Sequence, residues 1–193
     1  MGKELPAKAL DEILTDHAEV FTELKEYYKQ TSESDTTKIS FYEDTYSLYN
    51  LYRFAHYYEE AYGKYIWLKS GASLVIEHTE AMTVIDVNTG SVLKKKKQED
   101  TLFYQINREA AKEIARQLRL RNISGIIMID FINMKDTAQK EKLLSLLDSE
   151  CKKDRVHCNV IDMTALNLVE MTRSKVRKPL HEQIRSCMKN NRS

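Results

Sequence analysis

No apolar run in the chain approaches the ~18 residues of a membrane-spanning helix, which excludes a helical membrane protein. The first residues, Met1-Gly-Lys-Glu-Leu-Pro6, lack the apolar core of a secretory signal. There is no Cys-x-x-Cys pair. The cysteines, Cys151, Cys158 and Cys187, are odd in number, which argues against a disulfide framework or a zinc site and for free thiols in a reducing cytoplasm. Net charge is also scarce, at +1 from 30 basic and 29 acidic side chains, so attraction to nucleic acid must come from local patches. No internal repeat of about 20–50 residues is present. No arrangement of His, Cys or Ser suggests a nucleophile site. What remains is 193 residues, 42% hydrophobic and 31% charged, which suits a soluble globular protein of one domain or two small subdomains. A chain of this length buries a substantial core.

Two short apolar runs, each ending near an aspartate, organise the sequence. One is Met82-Thr-Val-Ile-Asp-Val-Asn-Thr-Gly90; the other is Gly125-Ile-Ile-Met-Ile-Asp-Phe-Ile-Asn-Met134. Their β-branched, nearly continuous apolar character predicts strands buried on both faces. Between them, Thr101 to Arg121 has helical period, with Phe103, Ile106, Ala110, Ile114 and Leu118 on one stripe. Strand, helix and strand in about 50 residues predict a βαβ unit with two parallel neighbours and a right-handed crossover. Asp86 and Asp130 then fall near the carboxyl ends of those strands, where open α/β sheets bind ligands. Alternation places Val84, Asp86 and Asn88 on one face. A buried carboxylate costs several kcal/mol unless it is paired or binds a cation. Two carboxylates with an asparagine beside them point to a hard divalent cation such as Mg²⁺. The alternative is one hydrogen-bonded or phosphoacceptor-like aspartate at each strand end. A doubly wound nucleotide domain is disfavoured, because no Gly-rich phosphate loop follows the first strand.

These residues also carry a resemblance. Leu68 to Gly90, Asn107-Arg-Glu-Ala-Ala-Lys-Glu-Ile-Ala-Arg-Gln-Leu-Arg-Leu-Arg121, Ile129-Asp-Phe-Ile-Asn-Met134 and Leu168-Val-Glu-Met-Thr-Arg173 resemble, in order, the signature motifs of the ribonuclease E/G family. The match is dense from Ile66 to Leu180 and looser from Asp11 to Tyr58. The resemblance implies an endoribonuclease of RNA processing and decay that cleaves single-stranded RNA. Its catalytic Mg²⁺, with Mn²⁺ as a substitute, is held by Asp86 and Asp130 and supported by Asn88. It implies a mixed α/β fold in which a β-sheet is flanked by helices. Residues 63–180 would form the deoxyribonuclease-I-like catalytic subdomain. Residues 1–62 would be an α/β remnant of the ribonuclease-H-like part, and 181–193 a C-terminal helix and tail. The family's zinc-binding Cys-Pro-x-Cys, expected just past Arg177-Lys-Pro-Leu180, is missing, so no zinc site is expected. The RNA-clamping S1 domain and the 5′-sensing part are not expected within these residues either. A non-catalytic RNA-binding or assembly module, including a homo-oligomer, therefore stands as the alternative to an enzyme. His157 stands where some members carry an arginine that supports a 5′-phosphate pocket, and Asn167 where the family usually has glycine.

Along the chain, Asp11 to Thr15 reads as a short strand. Asp16-His-Ala-Glu19 resembles a capping box that opens a helix to about Gln30. The alternative is one long helix from Pro6, with His17 on its apolar stripe. Thr31 to Thr37 reads as a polar loop and Lys38 to Tyr42 as a strand. Tyr46 to Tyr62 reads as one helix crowded with Tyr49, Tyr52, Phe54, Tyr57 and Tyr58; core packing is the expected use of these rings, and stacking of RNA bases the alternative. Strands at Lys64–Leu68 and Ser73–Glu77 flank the Lys69-Ser-Gly71 turn. A tight turn at His78-Thr-Glu80 then makes the sheet mixed, with His78 and Glu80 structural. Lys135 to Cys151 reads as an amphipathic helix with Leu143, Leu144 and Leu147 inward. Strands are expected at Val156–Met163 and Leu168–Thr172, and a last helix at His181–Met188. For RNA contact the candidate cations are Lys94, Lys95, Lys96 and Lys97, the helical stripe of Arg108, Lys112, Arg116 and Arg119, and Arg173 in the basic exit segment. Each has a plain alternative as a solvated charge.

Overall fold

The computed structural model describes residues 11–31, 37–90 and 99–190. The chain divides into two compact units, Met1–Tyr58 and Glu59–Ser193. In the first, β1 (Glu12–Thr15) and β2 (Lys38–Phe41) pair in parallel, with α1 (Ala18–Thr31) between them in sequence. Phe21 of α1 packs on Phe41 of β2, ring centroids 5.3 Å apart. The strand at 12–15 rules out one continuous helix from Pro6. The polar loop expected at 31–37 lies largely outside the described residues.

The helix expected from Tyr46 to Tyr62 is two helices. Ser47 caps α2 (Leu48–Leu51) by accepting from the Asn50 amide, and α3 (Phe54–Tyr62) follows. Arg53 between them has φ 51°, left-handed geometry that an α-helix cannot contain. Nor do the aromatic rings build a core. Tyr49, Tyr52, Phe54, Tyr57 and Tyr58 are all exposed, and Phe54 meets Tyr49 at 6.0 Å and Tyr52 at 6.2 Å between ring centroids.

The second unit is built on a six-stranded sheet of order β3-β4-β5-β6-β8-β7. Its strands are β3 (Tyr65–Trp67), β4 (Ser73–His78), β5 (Met82–Asn88), β6 (Gly125–Asp130), β7 (Cys158–Met163) and β8 (Leu168–Arg173). Only β5 and β6 are parallel, joined by α4 (Glu99–Leu120). Every other neighbouring pair is antiparallel. Two further helices follow, α5 (Thr137–Cys151), capped by Asp136, and α6 (Leu180–Asn190). The fold is thus mixed α/β, as the sequence pattern predicts, with six helices among the described residues.

One face of the sheet carries the core. Leu74, Ile85, Ile127, Ile129, Val169 and Met171 meet Ile106, Ala110, Ile114 and Leu118 of α4 and Leu143 and Leu147 of α5. Burying each large side chain contributes roughly 1.5–3 kcal/mol. The expectation that β5 and β6 are buried on both faces is not met. In β5, Thr83, Ile85 and Val87 are buried while Val84 and Asp86 are half-buried and Asn88 exposed. In β6, Ile127 and Ile129 are buried but Ile126 and Asp130 are exposed. The period-2 alternation hidden inside each apolar run decides this: α4 and α5 pack on the side of the buried set, and the polar ends point the other way.

Candidate active site

Asp86 of β5 stands directly opposite Asp130 of β6, at the last paired position of the parallel ladder. Strand neighbours in register lie about 4.8 Å apart, and their side chains share a face. Here that is the face away from α4 and α5. Two residues on, Asn88 shares it and donates from Nδ2 to Asp86 Oδ2 at 2.7 Å, which fixes the carboxylate's orientation. Desolvation, and secondly the negative charge of Asp86, hold the Asp130 carboxyl above the usual carboxylate range.

Two interactions set the ends of these strands, and neither was read from the sequence. Asn107, fully buried on α4, grips the backbone just beyond Asp130. Its Nδ2 donates to the Ile132 carbonyl at 2.7 Å, and its Oδ1 accepts from the Ile132 amide at 3.0 Å. The sequence signals were a polar residue next to Ile106 on the helix's apolar stripe and its place at the head of a family motif. Beyond Asn88, Gly90 has φ 56°, and a Cβ there would lie 2.6 Å from the Gly71 carbonyl oxygen, so the chain leaving β5 packs directly on the β3–β4 turn. That turn is held from the other side by Glu109, whose carboxylate accepts from the amides of Lys69 and Ser70 at 2.8 and 3.3 Å.

Among the described residues the candidate cations do not gather at the carboxylates. Lys94 to Lys97 lie outside the described residues. Arg108, Lys112, Arg116 and Arg119 are exposed, but on the solvent side of α4, and α4 covers the opposite face of the sheet from Asp86 and Asp130. Arg116 is ion-paired with Glu113 and Glu60, and Arg119 donates to the Glu150 carbonyl. Arg173 is the clearest correction: it is not a surface cation. Its side chain is 3% exposed, donates from Nε to Asp154 at 2.9 Å, and donates from Nη1 to Asn122 Oδ1 and the Ile123 carbonyl. The alternation of β8 turns it inward beside Met171 and Val169.

Comparison with known proteins follows the same residues. The ribonuclease E/G family profile matches residues 2–176. The chain belongs to the ribonuclease E/G family. Ribonuclease G of Escherichia coli (strain K12) is 38% identical over 171 residues, 89% of this chain and 35% of that protein. Ribonuclease G of Haemophilus influenzae is 39% identical over the same shares. Ribonuclease E of Nostoc sp. is 34% identical over 176 residues, 90% of this chain and 26% of that protein. The chain thus spans about a third or less of the length of these relatives. No described helix is long and apolar enough to cross a membrane.

The donor set can be tested against the cation that the family implies. Among the described residues no group of three or more His, Cys, Asp or Glu converges as a metal cage. Mg²⁺ asks for less: one or two carboxylates, with water and substrate oxygens completing an octahedron. Asp86 and Asp130, in register and on an open face, match that sparse requirement.

Proposed function

We propose that this chain is the catalytic region of a metal-dependent endoribonuclease that cleaves single-stranded RNA in a bacterial cytoplasm. The observation that carries the reading is the in-register pair of Asp86 and Asp130, with Asn88 bonded to one of them, in a ribonuclease E/G family chain. Residues 63–180 are read as the family's deoxyribonuclease-I-like part, residues 1–62 as a remnant of its ribonuclease-H-like part, and 181–193 as a C-terminal helix and tail.

Asp86 and Asp130 would hold one Mg²⁺ or Mn²⁺. When bound, the cation supplies Lewis acidity at the scissile phosphate and makes water more acidic. The residues of the chain prepare that site. Asn88 keeps Asp86 in one rotamer, and Asn107 fixes the strand end behind Asp130. The open face of the sheet gives an extended RNA strand room to cross the pair. Water attacks phosphorus in line and the 3′ oxygen leaves, so the products carry a 5′ phosphate and a 3′ hydroxyl. In the sequence Lys94 to Lys97 follow the strand that carries Asp86, and they would hold flanking phosphates, adding affinity without base preference. Arg108, Lys112 and Arg116 would meet only RNA that wraps around the sheet edge.

The deciding experiment is single-turnover cleavage of an end-labelled oligoribonucleotide with Mg²⁺. Aligning substrate with its attacking group is worth roughly 7–11 kcal/mol. With a net charge of only +1 to hold RNA, the 193-residue chain is expected to cleave slowly and to need high RNA concentration. Asp86→Asn and Asp130→Asn should each abolish the cleavage. Activity that survives both substitutions, or that persists in chelator, refutes the reading.

A further inference from the structure

A cavity of about 360 Å³ lies at the other end of β4 and β5 from the carboxylate pair. Its wall combines the residues after α3, the turn after β4, the residue after α4 and the start of α6. The charged and titratable groups lining it are Tyr62, Lys64, Glu77, His78, Arg121 and His181. None of them belongs to the catalytic reading, and no motif in the sequence suggested their convergence.

Arg121 is the anchor. It is 5% exposed, yet all three of its hydrogen bonds go to neutral acceptors. Nε donates to Gln117 Oε1 at 2.6 Å, Nη1 to the Gly63 carbonyl at 2.8 Å and Nη2 to the Glu60 carbonyl at 2.8 Å. Burial lowers its pKa to about 10, partly offset by the nearby Glu113 carboxylate, so it remains charged at neutral pH with none of these three bonds made to a carboxylate. A buried charge left in that state is costly unless an opposite charge joins it. The imidazoles of His78 and His181 stack beside it, centroids 3.8 Å apart and planes 15° from parallel. An imidazole N–H on the cavity wall can donate to an anion held there. His181 also lies in the first turn of α6, whose amino end carries partial positive charge, offset in part by Glu182 in the same turn. The lone lining carboxylate, Glu77, is already ion-paired with Lys64.

We propose that this cavity binds a phosphate monoester, through Arg121, His181, His78 and the amino end of α6. The volume lies within the ~300–1,000 Å³ of small-molecule sites. It exceeds the need of one phosphate group and leaves room for part of a nucleoside. The site is separate from the carboxylate pair. Thr83, which hydrogen-bonds His78, precedes Asp86 by three residues on β5, about 10 Å at the ordinary strand rise.

The test is NMR titration of the full chain, reading the imidazole resonances of His78 and His181, with no divalent cation present. Its result is therefore independent of the nuclease reading. The probes are inorganic phosphate, adenosine 5′-monophosphate and adenosine. Both phosphates are expected to shift the two histidines, and adenosine to leave them unmoved; a response to the nucleotide alone assigns the site to nucleotides. His181→Ala should weaken binding about tenfold, as loss of a charge-assisted hydrogen bond does. Glu77→Gln, which keeps the side-chain shape, should tighten it by removing a competing negative charge. The proposal is overturned if adenosine binds as well as its monophosphate, if neither phosphate shifts the histidines up to about 10 mM, or if both substitutions leave the affinity unchanged.

Discussion

Arg173 separates a structural from a nucleic-acid role most sharply. Its guanidinium and the Asp154 carboxylate are 3% and 8% exposed and meet at 2.9 Å, with Asn122 Oδ1 and the Ile123 carbonyl taking further N–H groups. Arg173→Ala leaves a buried carboxylate without its partner and two oxygens without donors. Breaking a buried ion pair from one side costs about 3–5 kcal/mol. In a chain of this size each kcal/mol moves Tm by roughly 2–4 °C, so the loss should be about 6–20 °C. Thermal unfolding followed by far-UV circular dichroism measures it, and amide exchange in β6 and β8 localises it to the second unit. A double substitution, Arg173→Met with Asp154→Leu, should recover most of the loss, because well-packed apolar replacements of buried pairs are often neutral. RNA affinity, measured well below the lowered Tm, should keep its salt dependence. An Arg173→Ala protein with a Tm within about 2 °C of the original and a flatter salt slope would refute the reasoning and return Arg173 to the RNA surface.

Asp130→Asn should raise the stability of the metal-free protein at neutral pH. The raised carboxyl pKa means that the folded state binds more protons than the unfolded one, so stability falls as pH climbs from the ordinary carboxylate pKa through the raised one. The gain should vanish at acid pH, where both states hold the proton, and scanning calorimetry in chelator at the two pH values checks it. Asn107→Ala strands the Ile132 amide and carbonyl and should cost about 1–3 kcal/mol in chemical denaturation; it should also weaken Mg²⁺ or Mn²⁺ binding in calorimetry by loosening the backbone behind Asp130. Replacing Lys94 to Lys97 by serine should reduce the slope of log K against log[salt] for single-stranded RNA by about 0.7 per lost phosphate contact, without changing preference among RNA sequences. An unchanged slope makes that run a solvated loop.

The sequence by itself determined the centre of the second unit. Two β-branched runs around a helix of period 3.6 admit almost one arrangement, a parallel pair with a crossover, and this places Asp86 and Asp130 side by side. It determined the family too, because long motifs in fixed order survive substitution elsewhere. Asn167, standing where the family usually has glycine, takes the left-handed region at φ 63°, a geometry that its residue type tolerates. Tertiary structure alone decided what local pattern cannot encode. Apolar runs look buried on both faces, yet helices cover only the core side, and so the carboxylates face away from the cationic stripe of α4. A basic residue reads the same in sequence whether solvated or buried, and only the inward register of β8 against Asp154 makes Arg173 a core cation. The cavity of about 360 Å³ draws its charged side chains and imidazoles from positions 64, 77, 78, 121 and 181, separations at which no spacing rule operates. Periodicity reports one element's own face; which charges meet is a property of how several elements pack.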